Sequence, residues 1–310
     1  MLEAGLISSR FVHYAALMVL VGASLFPLYA DPEGSQPKHF FRQLQAMFFL
    51  ATVGALLSGI LWFVFAVANM SGTFTSVADR DMLWSVLNDM SFGRVWLGRL
   101  LILIILLALT GSRAVSPANR HRDILTPLLS AVLLATLAGI GHAQTEDSVA
   151  GILHVGADAA HLLAAGAWLG GLVPLGFLLV ATGPSRGEHL TDSERILQRF
   201  SGMGYIAVAV LVGSGLVNSW FLVGSLSRLT ETPYGQLLIM KLCLFAGMVV
   251  LAAWNRFWLV PSLVRAREVG SQHACLGRLR RHVLGEQVLG SLILLIVSVL
   301  GTLHPAISTP

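Results

Sequence analysis

The chain has 310 residues, of which 55% are hydrophobic and only 12% are charged, and its mean hydropathy is +0.75. A water-soluble protein of this length could not bury so much apolar surface, so the composition excludes a soluble enzyme and predicts an integral membrane protein. The formal net charge of +4 reflects membrane topology and contact with anionic lipid, and we expect no nucleic-acid partner.

Eight apolar stretches are each long enough to cross a bilayer, which requires about 20 residues per helix. In chain order they cover residues 11–30, 44–68, 93–112, 124–142, 155–181, 200–224, 235–259 and 284–304. The sequence therefore predicts an all-α membrane protein with eight transmembrane helices.

The distribution of basic residues predicts the orientation of these helices. Most of the 20 Lys and Arg residues fall in the first, third, fifth and seventh connections, while the fourth connection and the C-terminal tail have none. Because cytoplasmic connections carry the excess of Lys and Arg, the odd-numbered connections are predicted to be cytoplasmic and both termini periplasmic.

Short patterns recur in the same order in the two halves of the chain. The matched positions are His13 and His161, Ser58 and Ser214, Arg99 and Lys241, and His142 and His304. We therefore interpret residues 1–148 as a first four-helix repeat and residues 149–310 as a second, within one integral membrane domain. Because each half has an even number of helices, the two repeats are expected to be parallel.

The matched histidines fall near the predicted periplasmic face, where they could form a metal site. His154, Asp158 and His161 occur at helical positions i, i+4 and i+7, which share one face. Imidazole and carboxylate are ligands that suit Cu(II) or zinc. The candidate metal ligands are His142, His154, Asp158, His161, His13 and His304. The alternative interpretation is a polar helix entrance in which His161 is hydrogen-bonded to a neighbouring helix.

Four further residues are candidates for supporting roles: Arg99, Lys241, Trp168 and Glu286. Arg99 and Lys241 each lie about two turns inside a predicted helix, where a charge costs roughly 2.5–3.5 kcal/mol on insertion scales, so each needs a partner. Asp158 is a candidate partner for Lys241, and a haem propionate is another candidate. The alternative is that the charged side chains need no such partner because they extend to the membrane interface. Glu286, at the cytoplasmic start of the last helix, is expected to pair with the Arg-rich connection before it.

The segment His161-Leu-Leu-Ala-Ala-Gly-Ala-Trp168-Leu-Gly170-Gly171 resembles the signature of the copper-resistance D family (CopD/PcoD). The family consists of inner-membrane proteins of bacterial copper homeostasis. The resemblance implies eight transmembrane helices and copper movement inward from the periplasm, without an enzymatic reaction. It also implies a small periplasmic copper carrier, which would be a separate protein because no such domain is present in this chain.

Two other interpretations remain open at this point. The same His-to-Trp-Gly pattern also resembles a family of small haem-binding membrane oxidases, so the alternative is a membrane redox protein with two histidines binding haem b. The other interpretation is a membrane sensor or assembly partner that does not transport copper. Met70, Met82 and Met90 in an outward connection could also collect Cu(I), although methionine is common packing material.

The orientation can be tested with reporter fusions. We expect alkaline phosphatase fused after Pro310 to be active in cells and a fluorescent protein fused there to be dark, because the C-terminal tail is predicted to be periplasmic. Fusions in the seventh connection, after Arg267, serve as the control and should give the reverse result. A fluorescent C-terminal fusion would contradict the assignment.

Overall fold

A computed structural model of the protein describes residues 2–31, 38–111, 120–138, 149–181, 188–263 and 272–308. Within these ranges the regular elements are all helical, which confirms the predicted all-α class. The α-helices in chain order are α1 (Leu2–Tyr29), α2 (Lys38–Ser71), α3 (Arg80–Asn88), α4 (Ser91–Gly111), α5 (Arg120–Ala135), α6 (Val149–Ala165), α7 (Gly171–Ala181), α8 (Glu188–Val223), α9 (Leu226–Glu231), α10 (Pro233–Trp254) and α11 (Gln272–Leu300).

Seven helical segments of the described chain are long and apolar enough to cross a membrane. They are Leu2–Tyr29, Phe40–Ser71, Ser91–Gly111, Val149–Val180, Glu194–Val223, Pro233–Leu263 and Ala274–Leu300. These segments coincide with seven of the eight predicted spans. The remaining span, 124–142, contains a shorter apolar helix at Asp123–Ala135, and its last four residues lie outside the described ranges. The count of eight, the internal repeat and the periplasmic termini therefore stay predictions.

Two membrane-spanning segments contain a short π-helical stretch, and each stretch is followed by a proline. Gly166–Gly170 joins α6 to α7 and precedes Pro174, while Asn255–Leu259 extends α10 and precedes Pro261. A proline cannot donate to the carbonyl four residues earlier, and its ring collides with that carbonyl. The wider π turn is one way for a helix to accommodate this local disruption, and such turns are frequent at functional sites.

The centre of the molecule is a very close crossing between α1 and the π segment Gly166–Gly170. A Cβ atom added at Gly22 would collide with the backbone of Gly170 and Gly171, and one added at Gly170 would collide with the carbonyl of Met18. Only glycine permits two backbones to approach so closely. Gly22 follows His13 by nine residues and Gly170 follows His161 by nine, so equivalent positions of the two proposed repeats meet at this crossing.

α1 and the segment Val149–Val180 are the most enclosed of the candidate spans. α1 packs against α2, α5, α7 and α11, and Leu17, Leu20 and Val21 have no exposed surface. Near its N-terminus, Arg10 donates a hydrogen bond of 2.6 Å to the carbonyl of Gly301, just beyond the end of α11. A basic side chain there satisfies a carbonyl that the helix end leaves without an intrahelical partner.

The short helices α3 and α9, which the sequence analysis did not predict, occupy equivalent places before α4 and α10. A Cβ atom added at Gly93 would collide with Val86, and one added at Gly235 would collide with Arg228. Glycine at these positions therefore lets each short helix fold tightly back onto the following span. The same local packing thus occurs in both halves of the chain.

The glycine crossing predicts a strong effect of side-chain volume at one position. Gly22→Leu should lower the free energy of unfolding by about 3 kcal/mol, the upper end of the usual range for overpacking, because the obstacle is backbone that cannot move aside. The measurement is SDS-induced unfolding of the purified protein in mixed micelles. Gly98→Leu on α4 is the control, since a Cβ atom there meets nothing within 4 Å. Equal stability of the two variants would contradict the crossing.

Candidate metal site

The predicted stripe on α6 lies against one neighbouring helix, α8. His154 stacks on Phe221 with ring centroids 4.7 Å apart and planes 8° apart. One turn further along, Asp158 Oδ1 accepts a hydrogen bond of 3.2 Å from Asn218 Nδ2. His161 also faces α8, through a serine described below. The three residues therefore share a face, as their spacing predicts.

A serine of α8 determines which nitrogen of His161 carries the proton. The hydroxyl of Ser214 donates to the carbonyl of Val210 at 2.6 Å, so its oxygen is available to accept from His161 Nδ1 at 3.0 Å. The proton then lies on Nδ1 and the lone pair on Nε2. No described group is recorded as bonding to Nε2. An imidazole held through Nδ1 with its Nε2 lone pair available is a typical arrangement for a metal ligand.

The charge near this stripe is balanced within the second half of the chain. Lys241, on α10, is half-buried, and Asp158 is the group whose negative charge offsets it. His154 is buried and its Nδ1 has no hydrogen-bond partner. The cluster therefore contains one carboxylate, one cation and two imidazole nitrogens, His154 Nδ1 and His161 Nε2, that form no hydrogen bond with another described residue.

The equivalent histidine in the first half, His13, is engaged through both ring nitrogens. Its Nδ1 lies 2.9 Å from the carbonyl of Ala55 and 3.1 Å from Ser58 Oγ. Arg99 donates to Nε2 at 2.7 Å. The Ser58 contact matches the Ser214 contact of His161, but the arginine occupies the nitrogen that a metal would need. His13 is 1% exposed, so no water replaces these partners.

Arg99 is a buried cation whose recorded hydrogen-bond partners are all uncharged. Its guanidinium donates to the carbonyl of Leu133 at 2.7 Å and to Thr136 Oγ1 at 2.6 Å, and it stacks over Trp96 with its central carbon 5.3 Å from the ring centroid. The buried charge therefore has partners, but none of those described is a carboxylate. The actual partners are an imidazole, a hydroxyl, a carbonyl and an aromatic face.

The positions around His13 do not repeat the other groups of the α6 stripe. Three residues before His13 lies Arg10, which stacks over Trp62 at 5.0 Å, where the second half has an aspartate hydrogen-bonded to an asparagine. Seven residues before His13 lies Leu6 instead of a second histidine. The histidine–serine contact is thus shared between the halves, while among the described residues the aspartate and the second histidine of the stripe have no counterpart around His13.

The other predicted residues lie apart from the stripe or outside the described chain. His304 follows the end of α11 and is exposed, and His142 falls among residues that the structure does not describe. Trp168 is buried in the first π segment, edge-on to Phe245. Glu286 is buried and accepts a hydrogen bond of 2.6 Å from Asn255, so its recorded partner is an amide where the sequence analysis expected an arginine.

The described residues do not by themselves complete a metal site. Among them, no three His, Cys, Asp or Glu side chains lie close enough together to hold a metal ion. His142 is the candidate ligand that this statement does not cover. The predicted ligand set therefore stays a prediction. What the structure shows of it is that His154, Asp158 and His161 lie on one helix face.

Comparison with known proteins gives two family matches and several relatives over most of the chain. Residues 1–152 match the model described as copper resistance protein D-like, N-terminal domain, and residues 194–300 match copper resistance protein D. The chain is 29% identical to the inner membrane protein YebZ of Escherichia coli over 96% of this chain and 98% of the relative. It is 33% identical to copper resistance protein D of Pseudomonas syringae over 96% of both chains.

A third relative is longer than this chain. The copper transport protein CutJ of Bacillus subtilis is 32% identical over 81% of this chain, which corresponds to 46% of CutJ. No solved structure matches the chain. The similarity therefore covers almost the full length of the first two relatives and less than half the length of the third.

The contact between His13 and Arg99 predicts non-additive effects on stability. His13→Ala should lower the free energy of unfolding by about 2 kcal/mol, because it leaves a buried charged donor without its acceptor. Adding Arg99→Leu should recover part of that loss. The measurement is a double-mutant cycle in SDS-induced unfolding, with His304→Ala, an exposed histidine, as the control. Strictly additive effects would show that the pair is not coupled.

Proposed function

The chain belongs to the copper-resistance D family, and from this premise we propose that it binds copper at the periplasmic face of the bacterial inner membrane and passes it inward. The copper is cargo, and no enzymatic reaction is part of the proposal. The seven membrane-spanning segments support a multi-pass protein, and the relative from Escherichia coli carries the name of an inner membrane protein.

The observation that carries this proposal is the orientation of His161. Ser214 holds Nδ1 and leaves the Nε2 lone pair without a hydrogen bond from another described residue. Buried polar groups in a membrane are costly unless they have partners or a ligand. We infer that Nε2 of His161 is a copper ligand, with His154 and Asp158 on the same face and His142 as the candidate that completes the site.

We further propose that the chain consists of two parallel repeats with different roles. Three features support the repeat: the histidine–serine contacts at His13 and His161, the short helices packed on Gly93 and Gly235, and the crossing of equivalent glycines. In the first repeat the Nε2 atom of the histidine is occupied by an arginine. Around His13 the first repeat therefore serves as a rigid support, and copper binds at the α6 stripe of the second repeat, with His142 of the first as the candidate that completes the site.

The hydrogen bonds of His13 also bear on the haem alternative. A haem held by His13 and His161 would require His13 to give up the bond from Arg99 and to leave that guanidinium without its imidazole partner. We therefore favour copper over a haem b with these two ligands. An absorption spectrum of the purified protein tests this choice, and we expect no Soret band.

Substitution at the second repeat should weaken copper binding directly. We expect His161→Ala to raise the dissociation constant for copper at least about tenfold, which corresponds to about 1.4 kcal/mol. Ser214→Ala should have a smaller effect in the same direction, since the imidazole would lose its tether. The measurement is equilibrium copper binding to purified protein in nanodiscs, together with copper accumulation in cells that express equal amounts of each variant.

The first repeat supplies a matched control for this experiment. Ser58→Ala removes the equivalent tether from His13 and should leave the copper dissociation constant unchanged. The triple substitution of Met70, Met82 and Met90 should also retain most copper accumulation. If the triple methionine variant is inactive while His161→Ala binds copper normally, the copper site lies in the outward connection and not on α6.

A further inference from the structure

A cavity of about 280 Å³ continues from the histidine stripe along the same two helical segments. Trp168, which lines it, follows His161 by seven residues, roughly 10 Å along the helix. On α8, Ala209 lines the cavity and precedes Ser214, the partner of His161, by five residues, roughly 7.5 Å. Both steps lead toward the connection between α7 and α8, which is predicted to be cytoplasmic. The cavity therefore lies on the inward side of the stripe.

Glu286 on α11 is the carboxyl group that lines this cavity. It is 3% exposed, and no other ionisable side chain occurs between residues 283 and 303. The amide of Asn255 donates to its Oε1 atom at 2.6 Å. The other oxygen, Oε2, is not one of the fully enclosed side-chain atoms that lack a partner, so it retains accessible surface. One oxygen of the carboxyl is thus held by an amide, and the other is accessible from the cavity.

The charged groups of the surrounding elements do not pair with Glu286. Among the described residues its recorded hydrogen-bond partner is Asn255, and no ion pair joins it to a cation. α7 has no ionisable side chain, and on α10 the one nearest in sequence to Asn255 is Cys243, twelve residues earlier. The other ionisable groups of the elements around this end of α11 are Tyr29 on α1, Glu194, Arg195, Arg199 and Tyr205 on α8, Arg256 on the second π segment, and Cys275, Arg278, Arg280, Arg281 and His282 on α11 itself. A carboxylate inside a membrane protein is costly without a paired cation, and such a group takes up a proton instead.

The cavity also connects Glu286 with the arginine-rich end of α11. Its lining includes Leu279, which lies seven residues, roughly 10 Å, before Glu286 and has an arginine on either side in the sequence. Arg278 is exposed, and the connection before α11 is predicted to be cytoplasmic. The cavity has room for several water molecules, and Ser201 and Arg256 offer polar contacts along its wall. A proton can therefore reach Glu286 from the predicted cytoplasmic side.

We propose that Glu286 is a proton-exchange site on the inward path of copper, neutral when the cavity holds no cation and ionised when copper is present. The inference rests on the proposed function. In the exchange the O–H bond of the carboxyl breaks, its electron pair stays on the carboxylate, and the proton leaves through the cavity, while the oxidation state of copper does not change. The carboxylate then offsets the charge of copper where an unpaired cation would be costly, and a proton returns once copper has left.

Infrared spectroscopy of the copper-free protein in dodecyl maltoside tests the neutral state. We expect the carbonyl band of a protonated carboxylic acid at neutral pH, and Glu286→Gln should remove it, because the amide carries no such group. Glu231→Gln is the matched control, since it makes the same substitution at an exposed position at the end of α9, and it should leave the band unchanged.

Copper uptake into proteoliposomes tests the exchange. Uptake by the unmodified protein should slow as the pH on the predicted cytoplasmic side falls, because protons then compete with copper for the carboxylate. Glu286→Gln should lower the uptake rate at neutral pH at least about tenfold and abolish its pH dependence. Glu286→Asp, which keeps a carboxyl group, should retain the pH dependence. Equilibrium copper binding at the α6 stripe should be the same in all three proteins.

These measurements separate failure of the proton-exchange site from failure of the proposed function. If the unmodified protein binds no copper, the proposed function fails, and the infrared comparison still decides whether Glu286 carries a proton. If copper binds normally but Glu286→Gln leaves either the carboxylic acid band or the pH dependence of uptake unchanged, Glu286 is not a proton-exchange site.

Discussion

The contact between the backbones of α1 and the π segment Gly166–Gly170 is the constraint on which the rest of the structure depends. Lipid tails are as apolar as leucine side chains, so membrane helices gain little from burying apolar surface against each other. They associate through close packing, and here Gly22 and Gly170 allow the closest packing available. The crossing fixes the distance between the two halves, and both histidines lie on the order of 13 Å along the helix from it.

The two halves use the same positions for different chemistry. A serine of the next spanning helix holds Nδ1 of the histidine in each half, which orients the ring in the same way. The basic residue near the histidine, however, makes a different contact in each half. Arg99 reaches His13 directly with its guanidinium, whereas Lys241 interacts with the aspartate one turn away from His161. In the proposed two-repeat arrangement, one copy keeps a closed network and the other is left to bind a ligand.

The sequence predicted the parts of the fold that depend on composition and periodicity. Seven of the predicted spans are long apolar helices, and the i, i+4, i+7 spacing placed His154, Asp158 and His161 on one face. The matched serines were noticed as anchors of the repeat, but nothing in their spacing shows that they contact the histidines. That contact depends on the register between two packed helices, which a single sequence does not contain.

Other features could not have been predicted from the sequence for a related reason. Arg99 lies in an apolar stretch where the natural expectation is an acidic partner, yet its partners are a carbonyl, a hydroxyl and an imidazole from two other helices. The prolines at 174 and 261 were visible, but a proline indicates disruption without saying whether the helix kinks, breaks or widens.

The hydrogen bond from Arg10 to Gly301 has a consequence for biogenesis. Arg10 is synthesised 291 residues before its acceptor. During synthesis the guanidinium is therefore without this carbonyl until α11 has been made. The same holds at the glycine crossing, where α1 waits for a partner encoded almost half a chain later. Although α2 can pack on α1 as soon as it is made, α1 thus reaches its complete set of neighbours only after the second half of the chain has been inserted.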